Sequence, residues 1–189
     1  MTNQFSEDKH VLCRGFLDRE TTKTISKYLD YKIRRGAWSP DKNPDVTAYG
    51  YYADPLLEVV LETVQPKIEE ATGLSLVPTY SFSRVYTEGE ELAPHVDRPS
   101  CEISATINIA SVGKASKIYI RNQTEESSYE LEPGDAIVYR GCELTHWRER
   151  FESGMLNVQI MLHYVVNNGS NTPYKFDQRP GLGHPVEVK

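Results

Sequence analysis

Two stretches in the first third of the chain place apolar residues at helical intervals. The first follows Asp18, a residue type that caps helix N-termini, and ends before Gly36. The second starts at Asp54-Pro55, since proline is favoured at the first helical position, and ends at Gly73. These signals predict helices over about 18–35 and 55–72, with a long ordered loop from Trp38 to Ala53 between them.

From about Leu76 to Val166 the pattern changes to short β-type runs that turn signals separate. The predicted strands are Thr79–Tyr86, Glu102–Ala110, Lys117–Arg121, Tyr129–Leu131, Ala136–Tyr139 and Leu156–Val166. Helices followed by strands indicate an α+β fold with helices packed on one face of a β-sandwich or barrel. Because no linker divides the chain, we expect a single domain over 1–189, with a helical part at about 10–75, a β core at about 76–166 and a C-terminal tail at 167–189.

Composition narrows the class of protein. The 189 residues are 39% hydrophobic and 25% charged, which is typical of a globular domain. The net charge of −6, from 21 basic and 27 acidic residues, disfavours a nucleic-acid partner. No run reaches the roughly 18 apolar residues of a membrane span, and the first ten residues hold no apolar signal core. Three cysteines do not suggest a disulfide framework, so we expect a cytoplasmic protein.

The spacing that bears on chemistry is His95-Val96-Asp97. In a strand, residues i and i+2 point the same way, so an imidazole and a carboxylate would face one cavity. Such a pair is two-thirds of a 2-His-1-carboxylate triad, which holds Fe(II) on one face and leaves positions open. The pair alone is weak evidence, because a third ligand is required.

Four other histidines are candidates for that third ligand: His10, His146, His163 and His184. His146 follows a predicted strand and a short turn at Gly141, which lets the chain cross a barrel and return to its open end. His163 lies in an apolar run and is interpreted as a core or surface histidine. His10 and His184 fall in predicted tails and are expected to be solvated.

Beyond single residues, the run from Tyr80 to Val166 resembles the catalytic core of the Fe(II)- and 2-oxoglutarate-dependent dioxygenases, in the prolyl-hydroxylase-like branch. The matching segments are Arg84-Val85-Tyr86, Gly89, Leu92, His95-Val96-Asp97-Arg98, Ser104–Ile109, Pro133–Tyr139 and His146-Trp147-Arg148. The resemblance covers about half of the chain. It implies a double-stranded β-helix, or jelly roll, backed by the N-terminal helices.

By this resemblance His95, Asp97 and His146 would bind Fe(II), and Tyr86 and Asn108 would contact the cosubstrate 2-oxoglutarate. With O₂ as the second cosubstrate, such an enzyme hydroxylates a peptidyl proline or a small molecule and releases succinate and CO₂. The retained carboxylate of Asp97 points to hydroxylation. The expected partner is therefore a small-molecule or peptide substrate, with no nucleic acid and no membrane; the oligomeric state stays open.

One feature departs from the family pattern. Relatives usually carry a Lys or Arg about ten residues beyond the distal histidine, to pair with the far carboxylate of 2-oxoglutarate, but Met155–Val165 contains neither. Arg148 shares a strand face with His146, and Arg84 shares one with Tyr86. A guanidinium group suits a carboxylate bidentately, so Arg148 is our first choice and Arg84 our second.

Two other classes remain open at this stage. A non-catalytic cupin-like domain would hold a ligand in the same polar pocket without redox chemistry. A zinc-dependent hydrolase would use the same three ligands with a bound water. Cys101 and Cys142 lie close to the proposed ligands in sequence and are interpreted as buried thiols.

Overall fold

The computed structural model describes residues 4–40, 48–114, 117–122 and 125–184. Within these ranges the α-helices are α1 (Gln4–Asp8), α2 (Arg19–Arg34) and α3 (Pro55–Thr72). The strands are β1 (His10–Cys13), β2 (Ser39–Pro40), β3 (Tyr49–Tyr52), β4 (Leu76–Tyr86), β5 (Leu92–His95), β6 (Ile103–Val112), β7 (Lys117–Arg121), β8 (Glu126–Glu130), β9 (Ala136–Arg140), β10 (Thr145–Arg148) and β11 (Leu156–Val166). Two 3₁₀ segments, η1 (Pro99–Cys101) and η2 (Thr172–Gln178), complete the described elements.

The long helices begin where their capping residues lie. The side chain of Asp18 accepts a hydrogen bond from the Thr21 amide at 2.8 Å, which caps α2. Asp54 caps α3 in the same way, through the Leu56 amide at 2.9 Å. Gly73 ends α3 with φ of 72°, a left-handed conformation that costs glycine little. The two predicted helices are therefore confirmed to within a residue or two.

The strands form two antiparallel sheets. The larger has the order β1-β9-β6-β11-β4-β3-β2, and the smaller has the order β5-β10-β7-β8. Side chains of both sheets line one cavity, and Arg148 of the smaller sheet donates a hydrogen bond to Gln159 of the larger one at 2.7 Å. This arrangement confirms the α+β class and the double-stranded β-helix.

Alternation along β11 separates a helix-facing side from a cavity-facing side. The helix-facing residues belong to the main hydrophobic core; they are Val158, Ile160, Leu162 and Tyr164. Their neighbours on the inner face are also buried but mostly polar: Asn157, Gln159, Met161 and His163. β6 repeats the pattern, with isoleucine or alanine outward and Ser104, Thr106 and Asn108 inward. A buried polar face needs partners or a ligand, so the strands place the functional surface between the two sheets.

Helices α2 and α3 back the larger sheet. Ile25 and Leu29 of α2 and Leu61 and Ile68 of α3 belong to the same core as the outward residues of β6 and β11. The Tyr164 hydroxyl crosses this interface and donates to the Leu61 carbonyl at 2.7 Å. No helix in the described part of the chain is long and apolar enough to span a membrane.

The predicted loop from Trp38 to Ala53 is wrong in part. Within it lie the strands β2 and β3, and β3 pairs antiparallel with β4; residues 41–47 lie outside the described ranges. The edge of β4 presents backbone groups that need partners, and a tyrosine-rich segment suits a strand, so the loop closes onto the sheet. Tyr52 of β3 reaches the cavity as a result.

The N-terminus also differs from the prediction of a solvated tail. His10 belongs to β1, which pairs with β9 at the other edge of the larger sheet. Its side chain is 7% exposed, and its Nε2 lies 2.6 Å from the Tyr129 hydroxyl. The segment is ordered because it supplies the hydrogen-bond partner that the β9 edge needs.

The C-terminal segment from residue 171 to 184 is fastened to the fold at two points, an arrangement we call the C-terminal clasp. Asp177 pairs with both terminal nitrogens of Arg98, at 2.7 and 2.8 Å, and accepts from the Tyr52 hydroxyl. Arg179 pairs with Glu58 of α3, and the side chains of this pair are 5% and 2% exposed. The predicted tail therefore contains a buried ion pair, which a surface tail would not have.

Candidate metal centre

Three side chains converge at one end of the cavity. His95 ends β5, Asp97 lies two residues beyond it, and His146 stands opposite His95 in the pairing of β5 with β10. The Nε2 atoms of His95 and His146 lie 3.6 and 3.5 Å from Oδ1 of Asp97. All three donor atoms lie within 4.8 Å of one another, so a single ion between them can bond to each. The structure therefore brings together the three predicted metal ligands.

The imidazole rings are oriented for coordination. Nδ1 of His95 faces the Ala93 carbonyl at 2.9 Å, and Nδ1 of His146 faces the Leu144 carbonyl at 3.0 Å. Because a carbonyl only accepts, each Nδ1 carries the hydrogen and each Nε2 presents a lone pair to the shared point. Backbone carbonyls commonly fix metal-binding histidines in this way. Two imidazole nitrogens and one carboxylate oxygen suit a borderline divalent ion such as Fe(II).

The Asp97 carboxylate is held from its other side. Ser104 Oγ donates to Oδ2 at 2.8 Å, and the Asp97 amide donates to the Gly141 carbonyl at 2.8 Å. Burial disfavours the charged carboxylate, but in the metal-free protein the neighbouring imidazoles of His146 and His95, when protonated, outweigh burial and hold the pKa of Asp97 well below its usual value. The carboxylate is thus ionised and fixed with Oδ1 toward the two histidines.

Gly141 makes room for this carboxylate. A Cβ atom at position 141 would overlap Asp97 Oδ2 and the Cys101 carbonyl oxygen. We expect Gly141→Ala to weaken Fe(II) binding about tenfold, in the range seen when a group that orients a metal ligand is disturbed. Isothermal titration with Fe(II) under argon measures this. Gly181→Ala is the control, because its backbone lies outside the left-handed region and a Cβ there would make only ordinary contacts with the His184 side chain. Equal affinities in wild type and Gly141→Ala would contradict the prediction.

The cavity extends away from the three ligands. It has a volume of about 410 Å³ and is open near Val96 and Arg98, whose exposed positions frame its mouth. At its inner end lie Arg148 and Gln159, which are 3% and 2% exposed. The lining also includes apolar side chains; they are Phe82, Leu92, Ile118 and Met161.

Arg148 faces the same side of β10 as His146, because successive side chains of a strand point to opposite faces. His146 and Arg148 face the cavity, whereas Trp147 faces outward and stacks on Tyr119. Two residues of a strand span about 7 Å, which is close to the length of a five-carbon dicarboxylate. A ligand of that length bound to a metal beside His146 would therefore place its far end near Arg148.

The charges of the cavity favour an anion. Among the described lining residues Asp97 is the one carboxylate, whereas Arg84, Arg98 and Arg148 are cationic. Asp177 neutralises Arg98, so the positive charge of the interior comes from Arg84 and Arg148. Burial lowers the pKa of Arg148, which reflects the cost of a desolvated cation. A carboxylate bound beside it would offset that cost.

Comparison with known proteins identifies solved structures that share this fold. No protein-family model and no curated protein matches the sequence. Solved structures do match: the epimerase SnoN in complex with Fe³⁺, α-ketoglutarate and nogalamycin RO has a TM-score of 0.73, with 12% identity over 96% of this chain and 90% of that one. A 2OG-Fe(II) oxygenase family oxidoreductase from Burkholderia pseudomallei has a TM-score of 0.70, with 15% identity over 89% and 91% of the two chains. A Trichoplax adhaerens prolyl hydroxylase in complex with a hypoxia-inducible-factor peptide fragment has a TM-score of 0.71, with 10% identity over 87% and 86%.

This chain has the fold of the 2-oxoglutarate/Fe(II) oxygenases. Within this oxygenase fold the smaller sheet contributes both histidines and Arg148, while the larger sheet contributes Arg84 and Gln159. The two walls of the cavity therefore come from opposite sheets.

Two of the predicted cosubstrate residues do not line the cavity of this oxygenase fold. Tyr86 is fully buried behind it, where its hydroxyl accepts from Arg84 at 3.1 Å and its ring stacks on Phe151. Asn108 faces inward but bonds to the Leu131 carbonyl and to Asn157. Both lie on the expected strand face, but beyond the layer that Arg148 and Gln159 fill.

Several lining residues were not singled out from the sequence. His163 was interpreted as a core or surface histidine; it is indeed buried, but in the cavity wall, with Nδ1 2.9 Å from Ser104 Oγ. Tyr80 stacks on it with ring centroids 4.6 Å apart. Cys101 is buried as predicted, whereas Cys142 is partly exposed, and His184 is exposed. Alternation along the predicted strand Leu156–Val166 is the signal that could have placed Gln159, Met161 and His163 on one face.

The buried His163 predicts a pH dependence of stability. Burial lowers its pKa from 6.5 to about 4. Between these values the unfolded chain binds a proton at this residue and the folded chain does not, so the metal-free protein loses stability as the pH falls through this window. The contribution of one such group approaches about 1.4 kcal/mol per pH unit. Urea unfolding of wild type and His163→Gln from pH 7 to pH 4 measures it; parallel curves for the two proteins would contradict the prediction.

Proposed function

We propose that this protein is an Fe(II)- and 2-oxoglutarate-dependent oxygenase. The observation that carries the proposal is the alignment of two groups along one strand. His146 joins His95 and Asp97 in a facial set of donors, and Arg148 stands about 7 Å further along the same face. This arrangement fits a ligand that has one end for the metal and a carboxylate at the other.

Different residues of the cavity would bind the metal and the cosubstrate. His95, Asp97 and His146 would hold Fe(II), while Arg148 would pair with the far carboxylate of 2-oxoglutarate, with Gln159 holding its guanidinium. Arg84, the other cation of the inner cavity, would add a second positive charge. When bound, iron and 2-oxoglutarate supply the oxidising power from O₂, and succinate and CO₂ are the co-products.

The apolar wall of the cavity excludes water from the bound cosubstrate. Phe82, Leu92, Ile118 and Met161 line the same cavity as the proposed metal ligands and Arg148. In such surroundings an unpaired carboxylate is costly, so the cavity discriminates in favour of a dicarboxylate whose two ends both find partners.

The substrate would approach from the mouth of the cavity. Val96 and Arg98 flank Asp97 in the sequence, and the Arg98 guanidinium lies over the ring of Tyr80, which stacks on Tyr52. We propose hydroxylation of a peptidyl proline or of a small molecule. The structural matches are consistent with both, since one holds a peptide fragment and another holds nogalamycin RO.

An anaerobic titration tests the class of enzyme. Fe(II) and then 2-oxoglutarate are added to the metal-free protein, and a weak visible charge-transfer band is expected with the second addition. His184→Ala, which changes an exposed histidine outside the cavity, is expected to give the same band. Succinate release in a screen of peptides and small molecules then identifies the substrate.

Other outcomes of these experiments identify the alternatives. Ligand binding with neither the band nor succinate release would indicate a cupin-like binding domain. Hydrolytic activity supported by Zn²⁺ and unaffected by 2-oxoglutarate would indicate a hydrolase.

A further inference from the structure

The cavity contains a second group of potential metal ligands besides His95, Asp97 and His146. Donor atoms of Asp97, Cys101 and His163 all lie within 4.8 Å of one another. Asp97 belongs to both groups, whereas Cys101 and His163 have no part in the function proposed above. All three side chains line the cavity.

The two additional side chains are fixed by their neighbours. The Cys101 sulfur lies 3.0 Å from the Tyr80 hydroxyl, at the end of η1. His163 on β11 has Nδ1 2.9 Å from Ser104 Oγ, which orients the ring and leaves Nε2 as the nitrogen for a ligand. The ring also stacks on Tyr80. A site built from these groups needs little rearrangement.

The chemistry of this group differs from that of the first. A thiolate, an imidazole and a carboxylate make a softer set than two imidazoles and a carboxylate, and sulfur ligands favour Zn²⁺ over Fe(II). Three protein ligands leave a fourth tetrahedral position for water. The Cys101 thiol would release its proton to solvent as the sulfur–metal bond forms.

We propose that Asp97, Cys101 and His163 form a second metal site that takes Zn²⁺ and competes with the iron site for Asp97. Two dications that share one carboxylate repel each other strongly unless further anionic ligands bridge them, and Asp97 is the one carboxylate among the described lining residues, so binding at one site weakens binding at the other. Zn²⁺ at the second site withdraws Asp97 from His95 and His146. The inhibitory consequence rests on the proposed function; the metal site itself does not.

Cobalt spectroscopy tests the site without any turnover. Co²⁺ is a spectroscopic substitute for Zn²⁺, and a cysteine ligand gives it an intense near-ultraviolet charge-transfer band. We expect this band when Co²⁺ is added to the His95→Ala/His146→Ala protein, because the second site keeps its three ligands. Cys101→Ser in that background should abolish the band, whereas Cys142→Ser, which changes a thiol outside this group, should keep it.

The outcomes of the cobalt experiment test the second metal site independently of the oxygenase function. Absence of the thiolate–cobalt band from both the double variant and the wild-type protein would overturn the second site, and so would a band that survives Cys101→Ser. If the double variant does not fold, the comparison of wild type with the near-isosteric Cys101→Ser decides the question. The Fe(II)/2-oxoglutarate band is measured separately, so a failed oxygenase proposal leaves the cobalt result intact.

Zinc inhibition provides the functional readout. In the active enzyme Zn²⁺ should inhibit turnover through two routes, replacement of iron and capture of Asp97. Cys101→Ser removes the second route, so higher concentrations of Zn²⁺ should be needed for half inhibition. Equal inhibition of the wild type and Cys101→Ser would refute the competition.

Discussion

Asp97→Ala is expected to bind Fe(II) about a hundredfold more weakly than the wild type, or worse, and to show no turnover. The substitution removes the one carboxylate ligand and leaves two imidazoles. Loss of a direct ligand should exceed the 10–100-fold cost of disturbing a group that only orients a ligand. Iron content after gel filtration and succinate release measure the two effects.

The fold should survive this change. The Asp97 side chain faces the cavity and is 14% exposed, so water can replace the carboxylate. Circular dichroism checks this point. Asp30→Ala is the matched control, because Asp30 pairs with Arg34 on the surface of α2. Unchanged iron content in folded Asp97→Ala protein would refute the assignment of the metal centre.

Arg148→Met is expected to raise the KM for 2-oxoglutarate about 10–100-fold, while the affinity for Fe(II) stays within a few fold. A hydrogen-bonded pair between charged groups contributes roughly 1.5–3 kcal/mol, which corresponds to that range. Methionine keeps most of the buried volume at a position that is 3% exposed. Steady-state kinetics with varied 2-oxoglutarate, together with Fe(II) titration, separates the two effects.

Arg84→Met distinguishes between the two arginines, and we expect a smaller effect from it. The Arg84 guanidinium already donates to the Tyr86 hydroxyl and lies 5.1 Å from the Phe82 ring. It is therefore less available than Arg148 to pair with the cosubstrate carboxylate. Arg121→Met, which changes a surface arginine stacked on Trp147, is the control. If both cavity variants kept KM within twofold, neither arginine would bind the cosubstrate. Two other polar residues, Asn157 and Lys117, do not line the cavity and have partners elsewhere: Asn157 donates to Asn108, and Lys117 pairs with Glu130.

Local signals in the sequence were sufficient for several parts of this structure. Asp18, Asp54 and Gly73 set the helix bounds through backbone capping, which depends only on neighbouring residues. The spacing of His95 and Asp97, together with the family resemblance that added His146, predicted three side chains that the structure brings together. Strand alternation placed Arg148 on the face of His146.

Other parts depended on contacts distant in sequence. β1 and β3 are ordered by the open edges of β9 and β4, which no local pattern of His10–Cys13 or Tyr49–Tyr52 reveals. Strand alternation predicts on which face of the sheet a side chain lies, but not whether that side chain reaches the cavity. Tyr86 and Asn108 were therefore placed on the correct face, yet neither lines the cavity, whose lining there consists of Arg148 and Gln159.

The C-terminal clasp has a consequence for synthesis of the protein. Glu58 is buried in α3, and its partner Arg179 lies 121 residues downstream. At ribosomal rates of about 5–20 residues per second, α3 would wait roughly 6–24 s for that cation to be made. A buried carboxylate without its partner is costly, so the nascent chain cannot finish packing α3 against β4 before then. During that interval the apolar surface shared by α3 and the unfinished sheet stays exposed to water, which makes the nascent chain prone to aggregation.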